Sequence, residues 1–164
     1  MYSNSDKYNN QVEINREKTC PFLLKVFYKE NDYNSLEDFN KAIFPSNREL
    51  HIYTWMDASL RELTTLIKDA VESTRRKDAV LNFSTIFPDS KGILQRKEIG
   101  YVYSSRKGQD DNKTLNQLKV AIGDYLDINV TFRGKDRDRD RERDRERDRD
   151  KDRIRERDRE RDYN

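Results

Sequence analysis

Cysteine occurs once in this sequence, at Cys20, and histidine once, at His51. A single thiol forms no intramolecular disulfide, a pattern that suits a reducing compartment and leaves the core to hold the fold. A Cys20/His51 nucleophilic pair is formally open, but no oxyanion or orienting motif accompanies it. Cys20, extended before Pro21, reads instead as a small buried thiol. Apolar runs long enough to cross a bilayer are missing, as is a signal-peptide core, so the expected protein is soluble and intracellular. An excess of charge of one sign is missing too: 40% of the residues are charged, yet the formal net charge is +2.

Charge is uneven by position. Residues 133 to 162 hold 15 Lys/Arg and 13 Asp/Glu, which leaves 19 of each sign from the 34 basic and 32 acidic residues of the chain. The neutral remainder does not suggest a broad basic nucleic-acid surface. In the Arg/Asp/Glu repeat, strict alternation places like charges at i,i+4, which disfavours a helix, and a strand would have nothing to bury. The expected organisation is a disordered segment 1–14, one domain over 15–132, and a disordered tail over 133–164.

Periodicity supplies the elements. PFLLKVFYK (21–29) alternates as a strand, with Phe22, Leu24 and Val26 on one face and Leu23, Lys25 and Phe27 on the other. The long connection that follows carries a helix-start signal, Ser35 with Asp38, and Pro45 should end that turn. LHIYTWMDASLREL (50–63) changes period in the middle: Leu50 and Ile52 belong to a strand, and Leu60, Leu63, Ile67, Ala70 and Val71 to one stripe of a helix. Thr54 is the expected cap and Trp55 a core plug at the junction. VLNFSTIF (80–87) and RKEIGYVY (96–103) read as strands, the second as an edge strand by its charged start and Gly100. TLNQL reads as a short helical turn, and DYLDINVTF (124–132) as a last strand with Leu126, Ile128, Val130 and Phe132 inward.

That order predicts an α+β fold, a ubiquitin-like β-grasp with a mixed five-stranded sheet and one main helix. In such a sheet the first strand lies between the second and the last. Leu23, Phe27, Tyr53 and Tyr125 then gather on the face away from the helix, with Lys25, His51 and Asp127 among them. Four such side chains on an uncovered face mark a partner-binding surface; the alternative is that the long connection folds over them. If that surface fails, the next candidates are the 104–111 loop and the open edge of the fourth strand.

REKTCPFLLKVF (16–27), ELHIYTWMDASLRELTTLIKD (49–69), LNF (81–83), KEIG (97–100), SSRKGQDD (104–111) and IGDYLDI (122–128) together resemble the eighteen-kilodalton Sin3-associated polypeptide family over residues 15 to 131. The resemblance implies a ubiquitin-like fold, no catalytic activity and no cofactor. It implies a nuclear adaptor, with presence in speckles and some cytoplasmic protein, monomeric outside its complexes. The implied partners are the Sin3 histone deacetylase corepressor complex and the apoptosis- and splicing-associated complex, with Acinus or Pinin and the RNA-binding protein with a serine-rich domain. The implied processes are transcriptional repression and mRNA processing. The 35–47 connection and the charged tail depart from the family pattern.

The remaining motifs carry little chemistry. Arg106-Lys107-Gly108-Gln109-Asp110-Asp111 is no phosphate-cradling loop, and two adjacent carboxylates do not cage a cation, so it reads as a turn with Gly108 at positive φ. A ubiquitin-like modifier needs a terminal di-glycine, and the sequence contains none. The tail either imitates phosphorylated Arg-Ser repeats or is a solvated extension; its carboxylates nearly cancel its arginines, so RNA association through it is weak or indirect.

Overall fold

The computed structural model describes residues 14–134. The chain divides into two units, Met1–Thr131 and Phe132–Asn164. The disordered start and the disordered charged tail read from the sequence fall on 1–13 and 135–164, outside the described residues.

Five strands and two α-helices form the fold: β1 (Phe22–Glu30), α1 (Leu36–Asn40), β2 (Glu49–Thr54), α2 (Leu60–Ala70), β3 (Ala79–Pro88), β4 (Leu94–Tyr103) and β5 (Tyr125–Phe132), with short 3-10 turns at Ser46–Arg48 and Glu72–Arg75. The sheet order is β2-β1-β5-β3-β4. β1 runs antiparallel to β2 and parallel to β5, and β3 runs antiparallel to β4. A mixed sheet with first and last strands side by side and one main crossover helix is the ubiquitin-like β-grasp.

The local chemistry explains the elements. In α2, Leu60, Leu63, Thr64 and Ile67 are buried against the sheet, and each fully buried aliphatic contributes about 1.5–3 kcal/mol. The helix is capped by Ser59, whose hydroxyl accepts from the Glu62 N–H at 3.1 Å. Thr54, expected to cap it, is instead the last residue of β2 and is buried. The chain needs Trp55 to Ala58 to turn from strand into helix, so the cap comes later. TLNQL forms a turn, with Leu118 N–H donating to Thr114 O at 3.0 Å, but no helix. The β3–β4 hairpin is closed by Asp89, whose Oδ1 accepts from the N–H groups of Lys91 and Ile93.

Leu24, Val26, Ile52, Leu126, Ile128 and Val130 are buried on the α2 side of the sheet. A second cluster occupies the opposite face, built on Phe27, Phe39 and Ile86 with Leu36, Leu94 and Tyr125 packed against it. The connection between β1 and β2 therefore lies across part of the outer face, the alternative to an uncovered partner-binding surface. This two-sided cover explains why β3 is buried at nearly every position, where a one-sided sheet would alternate.

Candidate functional site

The ladder places the candidate residues on one face. Leu23 lies opposite Tyr53, Lys25 lies between His51 and Tyr125, and Phe27 lies between Glu49 and Asp127. Their fates differ. Tyr53 is 67% exposed and Leu23 38%, whereas Phe27 is 1% exposed. Phe27 thus departs from the surface expected of it: its ring meets Phe39 edge-on at 4.9 Å, stacks on Phe44 at 6.0 Å and meets Tyr125 at 5.7 Å. Leu36, Phe39 and Phe44 are apolar, and folding the connection inward buries Phe39 with Phe27, covers part of Leu36 and leaves Phe44 at the rim. Tyr125 is half-buried in the same cluster, 5.7 Å from the Phe44 ring.

What stays exposed is a strip. Leu23 and Tyr53 form one end, and Phe44 and Ile43, both exposed, form the other beside Tyr125. Between them Glu49 accepts from His51 Nε2 at 2.7 Å and pairs with Lys25 Nζ at 3.6 Å. Neither Ile43 nor Phe44 was singled out from the sequence. A cavity of about 250 Å³ opens beside them, lined by Phe39, Phe44, Asn34, Asp38 and Arg48 among others.

Asp127, expected among the surface polar groups, is fully buried. Its carboxylate accepts from Asn34 Nδ2 at 2.7 Å, from the Asn34 N–H at 3.2 Å and from Arg96 at 2.7 Å. Arg96 also donates to Asn34 O and stacks over the Tyr33 ring at 4.9 Å. Burial pushes the Asp127 carboxyl above its usual range, and the bonds from Asn34 and Arg96 offset this only in part. At the end of α1 the Asn40 amide donates to Leu94 O and accepts from Leu94 N–H. The cover is latched to the sheet at two points, on either side of α1.

The two most recognisable motifs serve the architecture. Trp55 is half-buried, not a core plug; its Nε1 donates to Thr19 O at 2.7 Å, and Arg16 lies over its ring at 5.0 Å. Arg16 also binds Asp57 and Glu62, whose bonds hold its guanidinium firmly protonated. In the second motif Asp111 pairs with Arg61 at 2.8 Å, and Lys113 O and Asp111 O accept the free N–H groups of Leu60 and Arg61 at the start of α2. Asp110 accepts from the Tyr101 N–H at 3.0 Å and pairs with Lys113, and these bonds outweigh burial to hold its carboxyl below the usual range. Gly108 does not carry the positive φ expected of it; Gly100 does, at 154°, and a Cβ there would lie 2.9 Å from Asp110 Oδ2. Cys20 is exposed, not buried. Among the described residues no group of three or more His, Cys, Asp or Glu side chains is placed to hold a metal ion, and no helix is long and apolar enough to cross a membrane.

Residues 13–130 match the family described as Sin3 associated polypeptide p18 (SAP18). The human protein named histone deacetylase complex subunit SAP18 is 49% identical over 127 residues, covering 76% of this chain and 82% of that protein. The Drosophila melanogaster protein of the same name is 45% identical over 120 residues, covering 73% and 79%. That of Arabidopsis thaliana is 44% identical over 119 residues, covering 71% and 78%.

Proposed function

Because the chain belongs to the Sin3-associated polypeptide p18 family, we propose that it is a nuclear, noncatalytic adaptor subunit of a histone deacetylase corepressor complex. The observation that carries this reading is the extent of the match: the chain spans about four-fifths of relatives whose name is histone deacetylase complex subunit. The exposed strip supports it, since Leu23 and Tyr53, with Tyr125, Phe44 and Ile43 beyond the Lys25–Glu49–His51 group, provide apolar contact area around a polar centre. The partner-binding assignment is thereby revised: Leu23, Tyr53 and Tyr125 remain, Phe27 supports them from beneath, and Phe44 and Ile43 join.

The finer reading gives the same domain a second role, in the apoptosis- and splicing-associated complex with Acinus or Pinin and the RNA-binding protein with a serine-rich domain. Residues 15–132 would carry both roles, and the Arg/Asp/Glu repeat would direct the protein to splicing-rich nuclear foci. The test is purification of the tagged full chain from nuclear extract, with and without nuclease. Deacetylase-complex subunits should accompany it in both arms, and splicing-linked partners too if the finer reading holds. Absence of any deacetylase subunit would overturn the adaptor reading.

A further inference from the structure

The sheet has two edges, β2 and β4, and they are finished differently. Along β4, the Leu94 N–H and C=O are taken by Asn40, the Tyr101 N–H by Asp110 and the Tyr103 C=O by Arg61. Side chains thus occupy backbone groups near both ends of the strand, which interrupts the row an incoming strand would pair with, so β4 is a partly blunted edge. Along β2 no such stopper exists among the described residues: no hydrogen bond outside the sheet reaches the backbone of Glu49–Thr54.

From this contrast, and resting on the adaptor reading, we propose that β2 receives an extended segment of a protein partner as a sixth strand. The side chains beside the edge define that segment. On the outer face Tyr53 and Leu23 are exposed neighbours. On the other face, Arg61 and Lys68 reach Tyr103 O and Ser104 O and so mark the side of α2 that overhangs β4. At 100° per residue the opposite side carries Leu66. Leu66 is exposed, and Leu50 on β2 is half-exposed. An added strand therefore has apolar groups to cover on both faces, and successive side chains point to opposite faces. The occupant is a short run of consecutive apolar residues, not an alternating amphipathic strand.

Charge sets its flank. At the Glu49 end, Lys25 and His51 share the single carboxylate of Glu49, and the Arg48 Nε is buried without a hydrogen-bond partner. Acidic residues of the partner belong beside that end. A second copy of this chain fits less well. In antiparallel registers that pair most of β2 with itself, the exposed Tyr53 ring would face Glu49 or His51 of the copy and gain no apolar neighbour.

The test uses the full chain, labelled for amide resonances, and a synthetic peptide with a run of valine and isoleucine flanked by aspartates. Two N-methylated forms of the peptide block alternate backbone nitrogens, and in a strand only one of the two sets faces a given neighbour. The expected result is shifts and slowed amide exchange centred on 49–54, loss of binding with one methylated form and retention with the other. Tyr53→Ala should weaken binding about tenfold, as loss of an exposed aromatic anchor does. Shifts elsewhere, no binding, or equal binding by all forms would overturn the proposal. Co-purification of deacetylase subunits with the full chain is scored separately, so a failed peptide with a retained complex removes the edge and leaves the adaptor reading intact.

Discussion

Truncating Phe27 to alanine separates the observed outer face from the one read in the sequence. The side chain is 1% exposed and touches three aromatic rings, those of Phe39, Phe44 and Tyr125. A buried aromatic removes at least about 150 Å² from water, worth roughly 4 kcal/mol at 25 cal/mol per Å². Partial collapse of the cover into the space would return some of this. The latches at Asp127 and Leu94 hold the cover on either side of α1 and limit that collapse. The expected cost is therefore about 3–5 kcal/mol, the usual range for a buried phenylalanine. Tyr53→Ala, at an exposed site on the same face, should change stability by less than about 0.5 kcal/mol. Urea unfolding of the full chain measures both, with an unchanged slope showing that the variants unfold from the same fold. A loss below about 1 kcal/mol for Phe27→Ala would mean that the connection does not pack on the sheet, and would return Phe27 to the exposed surface.

Arg96→Met leaves the buried Asp127 carboxylate with Asn34 alone and should cost about 3–5 kcal/mol near neutral pH. Asp127 already has a raised carboxyl pKa through burial. Such a group favours the fold while protonated and loses that contribution as pH rises through its folded pKa, so the variant's deficit should shrink at acid pH when measured by urea unfolding. Gly100→Ala forces a Cβ to 2.9 Å from Asp110 Oδ2 and 3.1 Å from Leu60 Cδ1 at a φ of 154°, and should cost about 1–3 kcal/mol of thermal stability. Leu63→Ala, in the fully buried stripe of α2, should cost about 2–5 kcal/mol by the same assay. Ending the chain after Gly134 should leave thermal unfolding unchanged while reducing concentration in splicing-rich nuclear foci; equal localisation of both forms would leave the repeat as a solvated extension.

The order of elements was legible because the strands and α2 repeat with different periods, and the sheet order follows from that sequence of elements. The destination of the 31–48 connection was not, since its local signals set α1 but not what α1 packs against. Ser35 does cap α1, accepting from the Asp38 N–H at 3.4 Å. The warning lay in Leu36, Phe39 and Phe44, a density of large apolar residues that a solvated loop does not carry. Ser59 with Glu62 three residues on is a capping signature, and the cap lies there rather than at Thr54, which ends β2. Arg61–Asp111 and Arg96–Asp127 pair residues far apart in sequence, which no local period reveals.

Recruitment of protein partners through the exposed part of the sheet is tested most directly by comparing the tagged full chain with its Leu23→Ala, Tyr53→Ala double variant in nuclear extract. Circular dichroism and urea unfolding first establish that the variant is folded. Quantitative mass spectrometry of the purified material then reads the deacetylase subunits retained. The adaptor account predicts a loss of about tenfold or more in those subunits with stability unchanged; full retention by the folded variant would contradict it.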